Sequence, residues 1–408
     1  MQVENTQYFI NLENDHGAHN YHPLPVVLKK GVGAEVWDVE GKKYWDFLSA
    51  YSAVNQGHCH PAIVEALISQ SRKLTLTSRA FHNDQLGPYE KFITELLGFD
   101  RVLPMNTGVE GGETALKLAR KWGYEVKGIP SNQARVIFAS GNFWGRTIAA
   151  ISSSQDSDSY SNFGPLLPGY EIVPYGDLSQ LELALSNSNT CAFMVEPIQG
   201  EAGVIVPPAG YLKGVRELCT KYNVLFIADE VQTGLGRTGK MLCCDYDNVK
   251  PDILVLGKAL GGGVLPVSAV LSSHEVMNVL HPGQHGSTFG GNPLSCAVAT
   301  TALQVLINEN MIENAANLGE IFRSRLRSIE SDLILDVRGK GLLNAIDIKP
   351  HGNNKTAYDI CLSLLNNGLL AKQTHTHTIR FAPPLVITEN QLHQASDIIE
   401  HTIKAAIH

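Results

Sequence analysis

Between about residue 60 and residue 290, short apolar runs alternate with amphipathic stretches at helical spacing, and this alternation restricts the fold more than any other feature. Strands are expected at 135–139 (RVIFA), 191–195 (CAFMV), 224–228 (VLFIA) and 252–256 (DILVL), with 267–271 (VSAVL) closing the set. Helices are expected at 61–73, 84–97, 110–126, 177–186 and 208–222. Apolar strands interleaved with helices imply an α/β fold with a mostly parallel sheet covered on both faces. After residue 292 the pattern changes to α+β. One long helical stretch (293–330) precedes strands near 334–338, 342–348 and 378–382 and helices at 355–367 and 388–406. Residues 1–50 read as an arm carrying hairpin strands with glycine-containing turns. The expected organisation is therefore an arm (1–50), a large domain (51–292) and a smaller C-terminal domain (293–408).

The chain has 408 residues, a formal net charge of −8 and 44% hydrophobic residues. That acidity argues against nucleic acid or an anionic membrane surface as a partner. The window 254–271 approaches membrane-spanning length, but Lys258, the glycines at 261–263 and Pro266 interrupt it, so strand, loop and strand is the better reading. The N-terminal residues lack a basic and then apolar signal pattern. The seven cysteines form no CxxC pair and read as reduced thiols, so the expected location is cytoplasmic.

In an open parallel sheet, ligands collect at the carboxyl ends of the strands, and four motifs fall there. Asn106-Thr107-Gly108-Val109-Glu110 opens a helix whose first amides suit a phosphate, although an ordinary N-cap has the same sequence. Gly141–Arg146 (GNFWGR) follows the strand at 135–139 and offers aromatic rings, which could equally be core. Glu196–Glu201 (EPIQGE) follows the strand at 191–195, and Asp229-Glu230-Val231-Gln232 follows that at 224–228. Lys258 follows the strand at 252–256. An amine of lowered pKa can form a Schiff base, and a carboxylate can keep a pyridinium nitrogen charged. Taken together, the phosphate loop, stacking ring, acid and lysine point to pyridoxal phosphate.

Two other patterns are decoys. Gly234–Gly239 (GLGRTG) matches GxGxxG, yet no amphipathic helix follows, so a dinucleotide site is not expected. His60, two residues after His58, precedes Pro61 and reads as the entry to a helix, and His375 and His377 could share one strand face but have no carboxylate or cysteine partner at ligand spacing, so no metal is expected.

The chain resembles the class III aminotransferases of pyridoxal-phosphate fold type I, over roughly residues 14–390. The resemblance rests on YSAVNQGHCHP (51–61), MNTGVEGGETALKLARKW (105–122), DEVQTGLGRTG (229–239), GKALGGG (257–263), GSTFGGNPLSC (286–296) and TIRFAPPL (378–385). NYHP (20–23) and GEAG (200–203) resemble the branch whose amino donor is ornithine. The resemblance implies that Lys258 carries the cofactor, Asp229 pairs with its ring nitrogen and Gln232 contacts its hydroxyl. It further implies that Val231 and Phe143 sandwich the ring and that Gly108 and Val109 donate amides to the phosphate. Ser287 or Thr288 would reach that phosphate from a neighbouring subunit, so a homodimer or larger homo-oligomer is implied. Arg380 would bind the α-carboxylate of 2-oxoglutarate or glutamate, and Glu201 would pair with Arg380 while ornithine reacts. Arg146 would hold the other carboxylate, Tyr21 the α-carboxylate of ornithine, and Tyr51 would shape the pocket. Where relatives often have VEAGE, GC and proline, this chain has VEGGE (109–113), Ser295-Cys296 and Gln373. The rival readings are an aminotransferase for N-acetylornithine, 4-aminobutyrate or lysine, and a cofactor-binding scaffold without activity.

Overall fold

A computed structural model describes residues 5–350 and 356–406. Residue 355, the first of one expected helix, lies outside the described residues, as do the outermost residues of the arm and of the C-terminal segment. The central sheet has seven strands: β1 (Arg101–Met105), β2 (Arg135–Ala139), β3 (Tyr170–Val173), β4 (Thr190–Val195), β5 (Leu225–Asp229), β6 (Ile253–Leu256) and β7 (Ser268–Ser272). Their order is β1-β7-β6-β5-β4-β2-β3. Only β7 opposes its neighbours, and the pairs β6·β5, β5·β4, β4·β2 and β2·β3 are parallel.

Strand residues alternate between two cores. Val136, Phe138, Ala192, Met194 and Ile227 pack with Ala115, Leu118, Ala119 and Trp122 of the helix Gly108–Glu125. Ile137, Ala139, Phe193, Val195, Phe226 and Ala228 face the other core. Burial on both faces explains why these strands read as continuous apolar runs. Edge strands β1 and β3 escaped that reading. β1 contains Pro104, which an edge tolerates, and neither strand is buried along its whole length.

Two further sheets flank this core. The hairpin strands Leu28–Val32, Glu35–Asp38 and Lys43–Asp46 form one sheet with Leu369–Leu370 of the C-terminal segment. Strands Ile334–Lys340, Leu343–Ile348, Thr378–Phe381 and Lys372–Thr374 form the other, in that order. The arm also contains a helix, Thr6–His16, capped by the Asn5 side chain. None of its residues is fully buried, so the sequence carried no apolar stripe to announce it. The long helical stretch is two helices, Pro293–Asn308 and Met311–Arg327, separated where Asn310 takes φ +53°.

Candidate active site

The ends of β4, β5 and β6 converge on one cavity of about 240 Å³. Asp229 closes β5, is 6% exposed and accepts the Val231 N–H at 3.1 Å. Lys258 follows β6 after a single glycine and takes φ +44°, a left-handed conformation uncommon outside glycine. Both residues line the cavity. Burial lowers the pKa of Lys258 and Arg380 pushes the same way, against Glu201, Asp229 and Glu196. Glu196, just past β4, is also buried and accepts the Phe143 N–H at 3.0 Å and the Gly200 N–H at 3.2 Å. Burial raises the pKa of both carboxyls. Glu196 is pushed further by Asp229, so the pair resists holding two charges.

The helix Gly108–Glu125 begins at the same cavity. Thr107 accepts the Glu110 N–H, and Glu110 in turn accepts the Thr107 N–H at 2.7 Å. This capping box leaves the amides of Gly108 and Val109, which line the cavity, without acceptors inside the helix. The approach is close: a Cβ on Gly108 would lie 2.9 Å from Val231 Cγ1. Gly145 allows the 141–147 loop to reach this helix, because at φ +147° its Cβ would stand 2.3 Å from Val109 Cγ2. Phe143 and Trp144 both line the cavity, but Trp144 also stacks on the core residue Phe138. Of the two readings of this loop, Trp144 thus takes the core one, while Phe143 lines the cavity.

On the far side, Arg380 is 3% exposed and its Nη1 donates to Glu201 Oε1 at 2.8 Å, with Nη2 to Oε2 at 3.3 Å. Its guanidinium sits 5.1 Å from the Tyr51 ring centre, and its Nε has no hydrogen-bond partner. Burial opposes ionisation of Glu201, but Arg380 outweighs it and holds the pKa below the ordinary value. Tyr51 lies in a turn, Ser49–Ser52, whose four residues are all left-handed. The Gln232 amide donates to Tyr51 O at 3.1 Å, tying the acid-bearing loop to this turn.

Other expected residues stand further out. Arg146 is exposed, bonded to Ser159 Oγ at 2.9 Å and 5.3 Å from the Phe143 ring centre. Tyr21 is 75% exposed. Ser287 accepts from Asn106 Nδ2 at 2.9 Å, and neither it nor the exposed Thr288 lines this chain's own cavity. Glu196, Trp144 and Gly145 line the cavity but were not singled out as site residues. For Glu196 the available signal was its place immediately after a fully buried strand.

Within the GxGxxG segment, Arg237 has a structural place. Arg237 is fully buried and donates to Leu342 O (2.9 Å), Pro383 O (2.6 Å) and Asn55 Oδ1 (2.7 Å). His375 and His377 fall in the exposed turn between Lys372–Thr374 and Thr378–Phe381, not on a strand face. Among the described residues no three His, Cys, Asp or Glu side chains are grouped to hold a metal, and no helix is long and apolar enough to cross a membrane.

Residues 16–403 match the family model described as aminotransferase class-III. The chain belongs to the class-III aminotransferases. Among curated relatives, it is 64% identical over 392 residues to the mitochondrial ornithine aminotransferase of Drosophila melanogaster, which covers 96% of this chain and 90% of that one. Among solved structures, that of the ornithine aminotransferase from Toxoplasma gondii ME49 superposes with a TM-score of 0.97 at 50% identity, covering 99% and 96% of the two chains. The acetylornithine aminotransferase from Elizabethkingia anophelis gives a TM-score of 0.90 at 58% identity, covering 99% and 100%. The architecture is that of fold type I transferases, and the enzyme is a pyridoxal-phosphate-dependent transaminase.

The residues present fit that cofactor. A buried acid and a lysine of lowered pKa share one cavity with the unpaired amides of a helix start, and Val231 and Phe143 line it with apolar surface.

Proposed function

We propose that this class-III aminotransferase transfers the δ-amino group of ornithine to 2-oxoglutarate, yielding glutamate 5-semialdehyde, which cyclises to pyrroline-5-carboxylate, and glutamate. The observation that carries this reading is the Glu201–Arg380 pair beside Tyr51, in contact at 2.8 Å, with Glu201 lining the Lys258 cavity. Such an enzyme must present a distal amine in one half-reaction and a dicarboxylate in the other. A permanently free arginine would capture ornithine by its α-carboxylate and offer the wrong amine. A desolvated Arg–carboxylate interaction is worth ~1.5–3 kcal/mol, enough to set orientation, whereas an exposed pair worth ~0–1 kcal/mol is not. Arg380, at 3% exposure, belongs to the first kind.

When bound, pyridoxal phosphate supplies the electron sink for the carbon that loses its proton. In this reading Lys258 anchors the cofactor and moves that proton, its lowered pKa keeping a larger fraction of the amine neutral. Asp229 holds the ring nitrogen, Gln232 the ring hydroxyl, Phe143 and Val231 the ring faces, and Gly108 and Val109 the phosphate. Tyr21 places the α-carboxylate of ornithine, and Tyr51 shapes the pocket. Arg380 receives the α-carboxylate of 2-oxoglutarate once Glu201 lets go, and Arg146 takes the other carboxylate. Ser287 or Thr288 reaches the phosphate of a partner subunit, so the working unit is at least a dimer, which sedimentation would show. Residues 51–292 form the cofactor domain and 293–408 the smaller domain. The proposed location is the cytoplasm; the Drosophila relative named mitochondrial supplies the competing reading, and cell fractionation decides.

The acetylornithine aminotransferase structure at 58% identity favours a second reading, with N-acetylornithine as donor. A half-reaction with each amine in the presence of o-aminobenzaldehyde separates the two. Ornithine should give the coloured adduct of the cyclised product. Absence of colour, or a higher kcat/KM with N-acetylornithine, would overturn the proposal.

A further inference from the structure

Glu201 sits in the GEAG loop, 200–203, and three strands of the C-terminal sheet hold that loop from one face, while the fourth, Leu343–Ile348, holds one of the side chains that do so. Across the sheet, Arg338 stands opposite Ala345, which stands opposite Arg380. In the adjacent row, Asp336 pairs with Asp347, Asp347 with Thr378, and Thr378 with Thr374. Positions two apart on a strand share a face, so Arg338, Asp347, Thr378, Thr374 and Arg380 all project to one side. Arg338 donates to Gly203 O twice, from Nε at 2.9 Å and Nη2 at 2.7 Å. The same guanidinium grips Asp347 with Nη1–Oδ2 at 2.6 Å and Nη2–Oδ1 at 2.9 Å, and meets Asp336 at 2.8 Å. Thr378 donates to Asp347 Oδ1 at 2.6 Å, and Thr374 to Glu201 O at 2.6 Å. Arg380 itself donates to Gly200 O at 3.3 Å besides holding the Glu201 carboxylate.

We infer that Arg338, fixed by Asp347, is a positioning residue that sets how readily Glu201 covers Arg380, and thereby how strongly the enzyme favours ornithine over glutamate as amino donor. This rests on the reading of Glu201 and Arg380 given above. Arg338 touches neither substrate nor cofactor; it acts on the loop backbone two residues from Glu201. The planar fork lets one side chain place two bonds on a carboxylate and two on a carbonyl, a paired geometry that a lysine's single nitrogen cannot reproduce. Without it, Gly203 O loses both of its donors from Arg338, and on this side the loop keeps the Thr374 and Arg380 contacts, with the Gly200 N–H still held by Glu196. Glu201 then leaves Arg380 more often, and carboxylates bind there more easily.

The test is the ratio of kcat/KM for ornithine to that for glutamate, measured as separate half-reactions on the holoenzyme for wild type, Arg338→Met, Glu201→Ala and the double variant. Arg338→Met should lower the ratio roughly tenfold, the factor matching one charge-assisted hydrogen bond. Glu201→Ala should lower it at least as far, and adding Arg338→Met to Glu201→Ala should change it less than about twofold. Should Arg338→Met not fold, Arg338→Lys carries the same expectation at roughly threefold, because it keeps a charge beside Asp347 but loses the fork. An unchanged ratio in the Arg338 variants, or an equal drop in the Glu201→Ala background, would overturn the inference. If Glu201→Ala alone leaves the ratio unchanged, the gating role of Glu201 fails first, and the inference falls with it.

Discussion

Replacing Asp46 with alanine should open the wall of the substrate pocket without touching any residue in it. Ser49, Ala50, Tyr51 and Ser52 take φ of 49°, 48°, 59° and 68°, four consecutive left-handed residues without a glycine among them. Each is held against a preference of about 1–2 kcal/mol, so the turn persists only because its surroundings fix it. Asp46, 7% exposed, is the fixing group. Its Oδ1 accepts the Leu48 N–H at 2.9 Å and the Ser49 N–H at 2.8 Å, and its Oδ2 meets His58 Nε2 at 2.7 Å. Hydrogen bonds to a charged acceptor contribute ~1.5–3 kcal/mol each. Ser49 is fully buried and Leu48 only partly, so the second bond counts for less and the sum is about 3 kcal/mol. That corresponds to a roughly hundredfold increase in local opening.

Hydrogen exchange read by mass spectrometry on a peptide spanning 46–54 reports this opening directly. Asp46→Ala should accelerate exchange there roughly a hundredfold, and Asp46→Asn, which retains an oxygen for both amides, roughly tenfold. The KM for ornithine should rise in the same order, since Tyr51 loses its seat beside Arg380. Exchange within about threefold of wild type in Asp46→Ala would show that the left-handed turn is held by something else, and the reasoning would fail.

Lys258→Ala should eliminate borohydride-stable labelling and the ornithine-induced change in visible absorbance, with turnover below detection; labelling at another side chain would contradict the assignment. Gly108→Ala should weaken cofactor binding roughly tenfold by equilibrium dialysis, because the added carbon meets Val231 Cγ1 at 2.9 Å, although alanine suits a helix better by about 1 kcal/mol. Glu196→Gln should stabilise the cofactor-free protein in a pH-dependent way. Glu196 has a raised pKa when folded, so the native state binds its proton more tightly than the unfolded chain and loses stability as pH rises above the ordinary carboxylate range. The variant's advantage in thermal unfolding should therefore be nil near pH 4 and reach about 2 °C near pH 8; a constant offset across pH would point to packing instead.

What the sequence revealed and what it hid divide along a physical line. Asp229 and Lys258 could be read because each is a polar residue at the end of an apolar run, a place where a parallel sheet leaves side chains free to act, whereas the role of Gln232 was implied by the family resemblance. The β2, β4, β5, β6 and β7 strands were legible because burial on both faces forces unbroken apolar sequence. The helix Thr6–His16 and edge strands β1 and β3 were not, since each is incompletely buried and its pattern is diluted. Glu196 shares the position of Asp229 at a strand end, yet two carboxylates five residues apart in a loop look like solvated charge until the fold buries one of them.

Asp46, Arg338 and Thr374 were hidden for a different reason. All three hold backbone in place, and for two of them that backbone is distant in sequence: Arg338 grips a carbonyl 135 positions away and Thr374 one 173 away, whereas the amides that Asp46 holds are two and three positions on, in a turn that carries no glycine to mark it. Nothing local distinguishes such an arginine from one in a surface ion pair. Only strand register, which sets Arg338 and Arg380 in one row across the sheet, gives the first a route to the second. The proposed chemistry of this fold lies at strand ends, while the inferred control of selectivity lies in a sheet that contributes only one residue, Arg380, to the proposed substrate contacts. Substitutions that alter donor preference should therefore concentrate on the inward face of that sheet, at 338, 347, 374 and 378, more than around the cofactor, where Gly108 and Val231 leave no room for change.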